Sequence, residues 1–147
     1  MTTAVDTSVL LDMLADDRRF GEGAVQALRR ARIKGRLIVC ECVVAEVRPA
    51  LGSESELTEL LDDLEIVLIP GDTESALLAG RHYARYLGRG GTRVRVVPDF
   101  LIGAHAQVHA EQLLARDRGY LRDYFANLRV IDPSGGTNGG DWHRLTS

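Results

Sequence analysis

The sequence predicts an α/β domain in which a parallel sheet of five short strands carries helices on both faces. Short apolar runs of strand length alternate with longer segments whose apolar residues recur at helical spacing. Several of these segments end at a glycine, at Gly35, Gly52 and Gly88. Strands that are separated by helices usually pair in parallel, with the helices covering both faces of the sheet. A chain of 147 residues suits one such domain.

Five apolar runs are predicted as strands. The first is short and ends at Asp6, the second has the buried sequence RLIVC, and the third is closed by Pro70 and Gly71. In chain order the predicted strands are residues 3–5, 36–40, 65–69, 111–115 and 128–131.

The segments between the strands are predicted as helices. Ala24, Leu28 and Ala31 share one helical face, Ser53 and Glu56 form a capping-box pattern, and a proline at residue 98 marks a helix start. The predicted helices are residues 7–14, 23–33, 42–51, 53–64, 73–87 and 99–109, with a short one around 121–127. Residues 1–133 are expected to form the domain, and residues 134–147, which contain GGTNGG, a flexible tail.

Composition narrows the possible functions. The net charge of −3 and the aromatic content of 5% exclude a generic polybasic or base-stacking nucleic-acid binder. Neither GxxxxGK[ST] nor GxGxxG occurs, so ATP or NAD binding has no support. The two cysteines, the absence of a long apolar segment and an N-terminus without a basic region predict a cytoplasmic protein.

Charge is distributed unevenly along the chain. Residues 49–80 contain eight acidic and no basic residues, whereas residues 81–95 contain five arginines and no acid. These runs are either solvated helix faces or, for the arginines, a surface that approaches phosphates near a site. Since Lys34 is the only lysine, phosphate binding would depend on guanidinium groups.

Four acidic residues stand beside apolar sequence, where we expect water not to reach them and where an unpaired carboxylate would be costly to bury. They are Asp6, Glu46, Asp99 and Asp117. Each also has a purely structural interpretation. The three aspartates could cap helices or occupy their first turns, and Glu46 could reach past the apolar stripe to water or pair with Arg48.

The predicted topology favours a shared role for these acids. Ligands of such sheets bind beyond the carboxyl ends of the strands, where Asp6 and Asp117 emerge if their strands are neighbours. Four converging carboxylates would repel one another unless they bound Mg²⁺ or Mn²⁺, the cations that oxygen ligands select. The expected chemistry is metal-assisted hydrolysis of a phosphodiester. The histidines (82, 105, 109 and 143) and the Cys40–Cys42 pair form no zinc pattern and are expected to be structural.

In chain order, the segments VDTSVLLD, VVAEV, PDFLIGAHA and LLARDRGY resemble the four acidic motifs of PIN-domain ribonucleases, above all VapC-type toxins of bacterial toxin–antitoxin modules. The resemblance implies a sheet in the order 3-2-1-4-5 and an Mg²⁺- or Mn²⁺-dependent endoribonuclease. It places Asp6, Glu46, Asp99 and Asp117 in the metal pocket, with Ser8 supporting them by hydrogen bonding. It also implies homodimers and inhibition by a VapB-type antitoxin. Where the family often has Thr or Ser, this chain has Ala115.

Two other classes of function remain open at this stage. The chain could be a non-catalytic PIN-like module that binds RNA or protein. It could also be another aspartate-centred α/β enzyme, although residue 8 is Ser where a haloacid-dehalogenase-like phosphatase needs a second Asp. A response-regulator receiver would need a lysine late in the sheet, and Lys34 is the only one.

Overall fold

The computed structural model describes residues 1–15, 18–93, 96–116 and 119–134, and at its centre lies a five-stranded parallel sheet in the order β3-β2-β1-β4-β5. The strands are β1 (Thr3–Val5), β2 (Leu37–Val39), β3 (Ile66–Leu68), β4 (Gln112–Leu114) and β5 (Arg129–Ile131). The predicted fold class and strand order are therefore confirmed. Of the tail predicted at residues 134–147, residues 135–147 lie outside the described residues.

The central strand β1 is hydrogen-bonded on both sides. Ala4 is in register with Ile38 of β2 and with Leu113 of β4. Every residue of these three strands is buried, as expected for a parallel sheet covered on both faces. The carboxyl ends of β1 and β4 consequently lie side by side.

Helices fill the connections as predicted, and none of their bounds differs from the prediction by more than four residues. They are α1 (Thr7–Ala15), α2 (Gly21–Lys34), α3 (Glu41–Val47), α4 (Glu54–Asp63), α5 (Thr73–Gly88), α6 (Val97–His109) and α7 (Tyr120–Tyr124). The α-helical part of α3 is shorter than predicted, because the chain tightens into a 3₁₀ turn at Arg48–Ala50. Pro49 within that turn has no N–H to donate to a preceding carbonyl.

The capping box predicted at the start of α4 is only half formed. The backbone N–H of Glu56 donates to Ser53 Oγ over 3.1 Å, but the Glu56 carboxylate accepts from the N–H of Gly52, at 2.7 Å, rather than from that of Ser53. A reciprocal capping box occurs instead at α5, between Asp72 and Ser75. Both arrangements satisfy N–H groups that the first turn of a helix leaves unpaired.

Helices α5 and α6 form an antiparallel pair beside the sheet. At one end Asp72 lies 3.0 Å from His109, and at the other the rings of Tyr86 and Phe100 are 5.6 Å apart. Phe100 is completely buried and belongs to the main core. Helix α6 also packs against β1, which ends at the residue before Asp6, and against α3, which carries Glu46. None of the helices in the described parts of the chain is long and apolar enough to cross a membrane.

Candidate active site

Asp6 lies directly after the central strand, where β1 turns into α1. Its backbone N–H donates to the carbonyl oxygen of Leu114 over 2.9 Å, which fixes it at the carboxyl end of the β1–β4 pair. Its Oδ2 atom accepts hydrogen bonds from Ser8 N at 3.2 Å and from Ser8 Oγ at 2.5 Å. The carboxylate thus caps α1, and this contact also holds it at the edge where ligands of parallel sheets bind.

Ser8 connects this carboxylate to the neighbouring strand. While its hydroxyl donates to Asp6, its Oγ accepts the backbone N–H of Arg116, two residues past β4, over 3.1 Å. The Arg116 guanidinium in turn pairs with Asp12 of α1 through two N–O contacts of 2.8 and 3.0 Å and lies 4.4 Å from the Phe20 ring centroid. The chain just before residue 117 is therefore attached to α1 at two points.

Glu46 is held near Asp6 by the first residue of α1. The Thr7 hydroxyl donates to Glu46 Oε1 over 2.7 Å. The prediction that water does not reach Glu46 was wrong, because its side chain is exposed while Val43 and Val47 take the buried positions of α3. The suggested pairing with Arg48 is also absent, since that guanidinium donates to the backbone oxygen of residue 51.

Negative charge accumulates at this partly buried place. Burial raises the pKa of Asp6 above its ordinary value and the charge of Glu46 raises it further, while the bonds from Ser8 act in the opposite direction. Burial and the neighbouring acids, Glu46 first among them, raise the pKa of the Cys42 thiol to about 12. The protonated thiol, with its Sγ 3.9 Å from Glu46 Oε1, is a weak donor to that carboxylate.

Asp99 occupies the first turn of α6, where the helix dipole favours a carboxylate. Its backbone N–H donates to the carbonyl of Val96 over 3.1 Å, and its side chain is half-buried. Asp117 lies outside the described residues. Among those that are described, no three carboxylate, imidazole or thiol groups are placed to hold a metal ion together. The structure thus brings Asp6 and Glu46 together but does not join Asp99 to them in such a group.

The histidines have structural environments. His105 is 2% exposed, and its Nε2 lies 2.7 Å from the carbonyl oxygen of Ile69, to which it donates. His109 pairs with Asp72 at the opposite end of α5 and α6 from Phe100. His143 is beyond the described residues. The interpretation of the histidines as structural groups agrees with the contacts of the two that lie on α6.

Sequence reasoning missed three residues that build this site: Thr7, Asp12 and Arg116. Asp12 had a signal, because it is an acid in the apolar run LLDML and is only 8% exposed in the structure. Thr7 and Arg116 had none, since a hydroxyl beside an aspartate and an arginine after a strand are both common. Their roles depend on contacts between elements that are distant in sequence.

A parallel sheet in the order 3-2-1-4-5, with the Asp6 and Glu46 carboxylates near the carboxyl end of its central strand, defines the class of fold. The sequence matches the PIN domain over residues 3–125, and the chain therefore belongs to the PIN-domain family. No curated protein sequence matches it significantly.

Solved structures share this fold at low sequence identity. A chain in the structure of VapBC2 from Rickettsia felis, bound to a DNA fragment from its promoter, is 14% identical with a TM-score of 0.68, over 90% of this chain and 98% of that one. A chain in the structure of FitAcB from Neisseria gonorrhoeae is 21% identical with a TM-score of 0.62, over 89% of this chain and 97% of that one. The Mycobacterium tuberculosis toxin VapC20, described as cleaving the sarcin–ricin loop, is 17% identical with a TM-score of 0.54, over 86% of this chain and 98% of that one.

Proposed function

We propose that this chain is a metal-dependent endoribonuclease, the toxin of a type II toxin–antitoxin system, which hydrolyses RNA phosphodiester bonds with water. The observation that carries the proposal is the Asp6 carboxylate, fixed at the carboxyl end of the central strand and close to Glu46, in a chain of the PIN-domain family. In open parallel sheets this edge is where ligands bind.

The donor chemistry of the candidate site fits Mg²⁺ or Mn²⁺. Asp6, Glu46, Asp99 and Asp117 would hold the ion through carboxylate oxygens, which these hard cations prefer. The upward shift in the pKa of Asp6 reflects burial and the charge of Glu46, and a divalent cation relieves both unfavourable effects. Ser8 would act as the supporting group that fixes the Asp6 carboxylate.

Each described residue has a separate task in this mechanism. A bound divalent ion would supply charge stabilisation for the phosphoryl oxygens and make water a better nucleophile. Ser8 keeps Asp6 oriented and opposes its protonation, and Thr7 restricts the rotation of Glu46. The first turn of α6 fixes the position of Asp99 in the chain. Asp6 and Glu46 are therefore oriented before any ligand arrives.

The partners follow from the same proposal. Several similar structures are described as VapBC or toxin–antitoxin complexes, which supports a VapB-type antitoxin for this chain. We also propose a homodimer and a cytoplasmic location. Light scattering on the purified chain should give twice the monomer mass, and co-expression with the product of an adjacent small gene should yield a complex that copurifies.

Cleavage of total RNA by the purified chain in Mg²⁺, with the new ends mapped, tests the activity. Asp6→Asn and Asp99→Asn should each reduce the rate by roughly 10²–10³-fold. Asparagine at residue 6 still caps α1, so the fold should persist. Asp62→Asn, which changes an exposed acid on α4, is the matched control and should cleave like the wild type. Wild-type rates in both site variants would refute the assignment.

A second candidate is a non-catalytic PIN-like module that binds RNA or protein. One observation favours it: within the described ranges, no three potential ligands are placed to hold a metal. Calorimetric titration with Mn²⁺ separates the two functions. Heat of binding that is lost in Asp6→Asn supports the nuclease, whereas no heat with the wild type supports the binding module.

A further inference from the structure

The second half of α5 presents a row of arginines to solvent. Arg81, Arg85 and Arg89 follow one another at intervals of four, and all three are exposed. Four residues advance an α-helix by about 6 Å and return almost to the same face. We call these three residues the α5 arginine face. This spacing is comparable with the separation of successive phosphates along an extended nucleic-acid strand.

Two of these guanidinium groups rest on an aromatic ring. The Cζ atoms of Arg85 and Arg89 lie 5.8 and 5.4 Å from the centroid of the Tyr124 ring, within the range of cation–π contact. Such contacts restrict the long side chains and leave guanidinium N–H groups available to a ligand. Throughout the described ranges, no member of the α5 arginine face pairs with a carboxylate.

The positive charge of this face affects the neighbouring His82. His82, one residue after Arg81, has an Nδ1 atom 3.5 Å from Arg85 Nη1. Burial and then the charges of Arg85 and Arg81 lower the pKa of His82, so the imidazole adds no further charge. In the part of the chain that the structure describes, this face is thus a local concentration of positive charge without an acidic partner, although the chain as a whole has a net charge of −3.

The α5 arginine face borders the element that carries Asp99. The Tyr124 ring beneath the guanidiniums packs 5.3 Å from the ring of Phe100, and Phe100 follows Asp99 directly in α6. Tyr86 of α5 contacts the same phenylalanine from the helix side. A nucleic-acid strand bound along this face would thus approach the first turn of α6.

We propose that Arg81, Arg85 and Arg89 bind successive phosphates of a single-stranded RNA and deliver it to the candidate active site. The inference rests on the proposed function, since it names the surface by which the same substrate is held. Three observations support it. The three arginines are spaced four residues apart, two of their guanidinium groups contact the Tyr124 ring, and that ring packs against Phe100. Guanidinium forks bind phosphate in two-point fashion. They would also offset the repulsion between the acids and an anionic strand.

The test is equilibrium binding of a labelled single-stranded oligoribonucleotide in EDTA, so that binding is measured without cleavage. The triple substitution Arg81→Gln, Arg85→Gln and Arg89→Gln should weaken binding on the order of tenfold or more at low salt. It should also reduce the slope of log affinity against log salt concentration by about 2, because three phosphate contacts are lost.

A matched control removes the same charge elsewhere. Arg18, Arg29 and Arg36 are exposed, belong to none of α5, α6 and α7, and should retain wild-type affinity when all three are changed to Gln. If the α5 triple variant does not fold, Arg81→Gln serves alone, because Arg81 does not rest on the Tyr124 ring. It should weaken binding several-fold and reduce the salt slope by about 0.7.

The outcomes separate this inference from the proposed function. Equal affinity for the α5 variants and the wild type, equal losses in both triple variants, or no RNA binding by the wild type would each overturn the arginine site. Wild-type RNA affinity together with lost antitoxin binding would assign the face to the antitoxin instead. Cleavage of total RNA by the wild type in Mg²⁺ is scored separately, and its absence would refute the nuclease while leaving the binding result readable.

Discussion

The hydroxyl of Thr7 donates a 2.7 Å hydrogen bond to Glu46, a residue 39 positions further along the chain. This contact joins the start of α1 to α3 and limits where the Glu46 carboxylate can point. Since the neighbouring Asp6 is held by Ser8, both acids are positioned by hydroxyl groups from the first turn of one helix. The arrangement of the two acids thus depends on α1 as much as on the strands.

Thr7→Val should loosen Glu46 without changing the shape of the side chain. Loss of a group that orients a metal ligand should weaken Mn²⁺ binding and slow RNA cleavage by roughly tenfold. The free energy of unfolding should fall by only about 1 kcal/mol, because the exposed carboxylate remains hydrated. Calorimetry and a cleavage assay measure the first effect, and urea denaturation measures the second.

Thr7→Ser is the matched control because it retains the hydroxyl. It should recover most of the Mn²⁺ affinity and cleavage rate that Thr7→Val loses. If the serine variant were as impaired as the valine variant, Thr7 would act through packing alone.

Two glycines should respond oppositely to alanine. At Gly103 of α6 a Cβ would lie 2.6 Å from Cε2 of Phe125 and 3.0 Å from Cδ2 of Leu121, so Gly103→Ala should destabilise the fold by about 1–3 kcal/mol. At Gly80 of α5 nothing lies within 4 Å, so Gly80→Ala should stabilise it by about 0.5–1 kcal/mol. Urea denaturation measures both, and equal effects would contradict the packing of α6 against α7.

Stability should fall as the pH is lowered below about 6.5, in part because of His105. Burial, assisted by the neighbouring His109, lowers the pKa of His105 below its ordinary value of 6.5, against the opposing effects of the Ile69 carbonyl, Glu41 and Asp72. Below pH 6.5 the unfolded chain therefore binds a proton that the folded chain does not. The contribution of His105 to the free energy of unfolding is fully present above pH 6.5. It is lost as the pH falls from 6.5 to the pKa of His105 in the folded chain, and the free energy of unfolding changes there by at most about 1.4 kcal/mol per pH unit.

His105→Gln removes this titration and should flatten the dependence of the unfolding free energy between pH 7 and 5. It should not abolish that dependence, since burial also lowers the pKa of His82. A variant with the full wild-type slope would show that His105 is not buried as a neutral group.

The ion pair between Asp12 and Arg116 should stabilise the fold. Asp12→Asn and Arg116→Gln should each cost about 1–3 kcal/mol, because each leaves a charged partner with weaker hydrogen bonds in a half-buried place. The double variant should lose less than the sum of the two single variants. Additive losses in this cycle would mean that the contact contributes nothing of its own.

Much of the fold could be predicted because its signals are local. Strands such as Leu37–Val39 are continuous apolar runs, and the helices between them show the helical period. The predicted strand at 36–40 was too long because Cys40 is the N-cap position of α3 and β2 begins at Leu37, one residue after Arg36. Strand ends depend on how the next element begins, which apolar pattern alone does not encode.

The site was less predictable, for a physical reason. Asp6 was singled out because it interrupts an apolar run, and the structure places it at the end of the central strand. The burial of Glu46 was predicted wrongly because residues one position apart on a helix differ by about 100° in direction. Val47 therefore enters the core while Glu46 faces solvent. The Thr7–Glu46 contact depends on how two helices pack and leaves no trace in either segment.

A crystal of the wild-type chain soaked in Mn²⁺, with an anomalous difference map, tests the central claim most directly. The account predicts an anomalous peak within coordination distance of carboxylate oxygens of Asp6 and Asp99, and its loss in Asp6→Asn. No peak at Asp6 in a crystal of protein that cleaves RNA in Mn²⁺ would contradict it, because the reaction would then proceed without a cation at the end of the central strand.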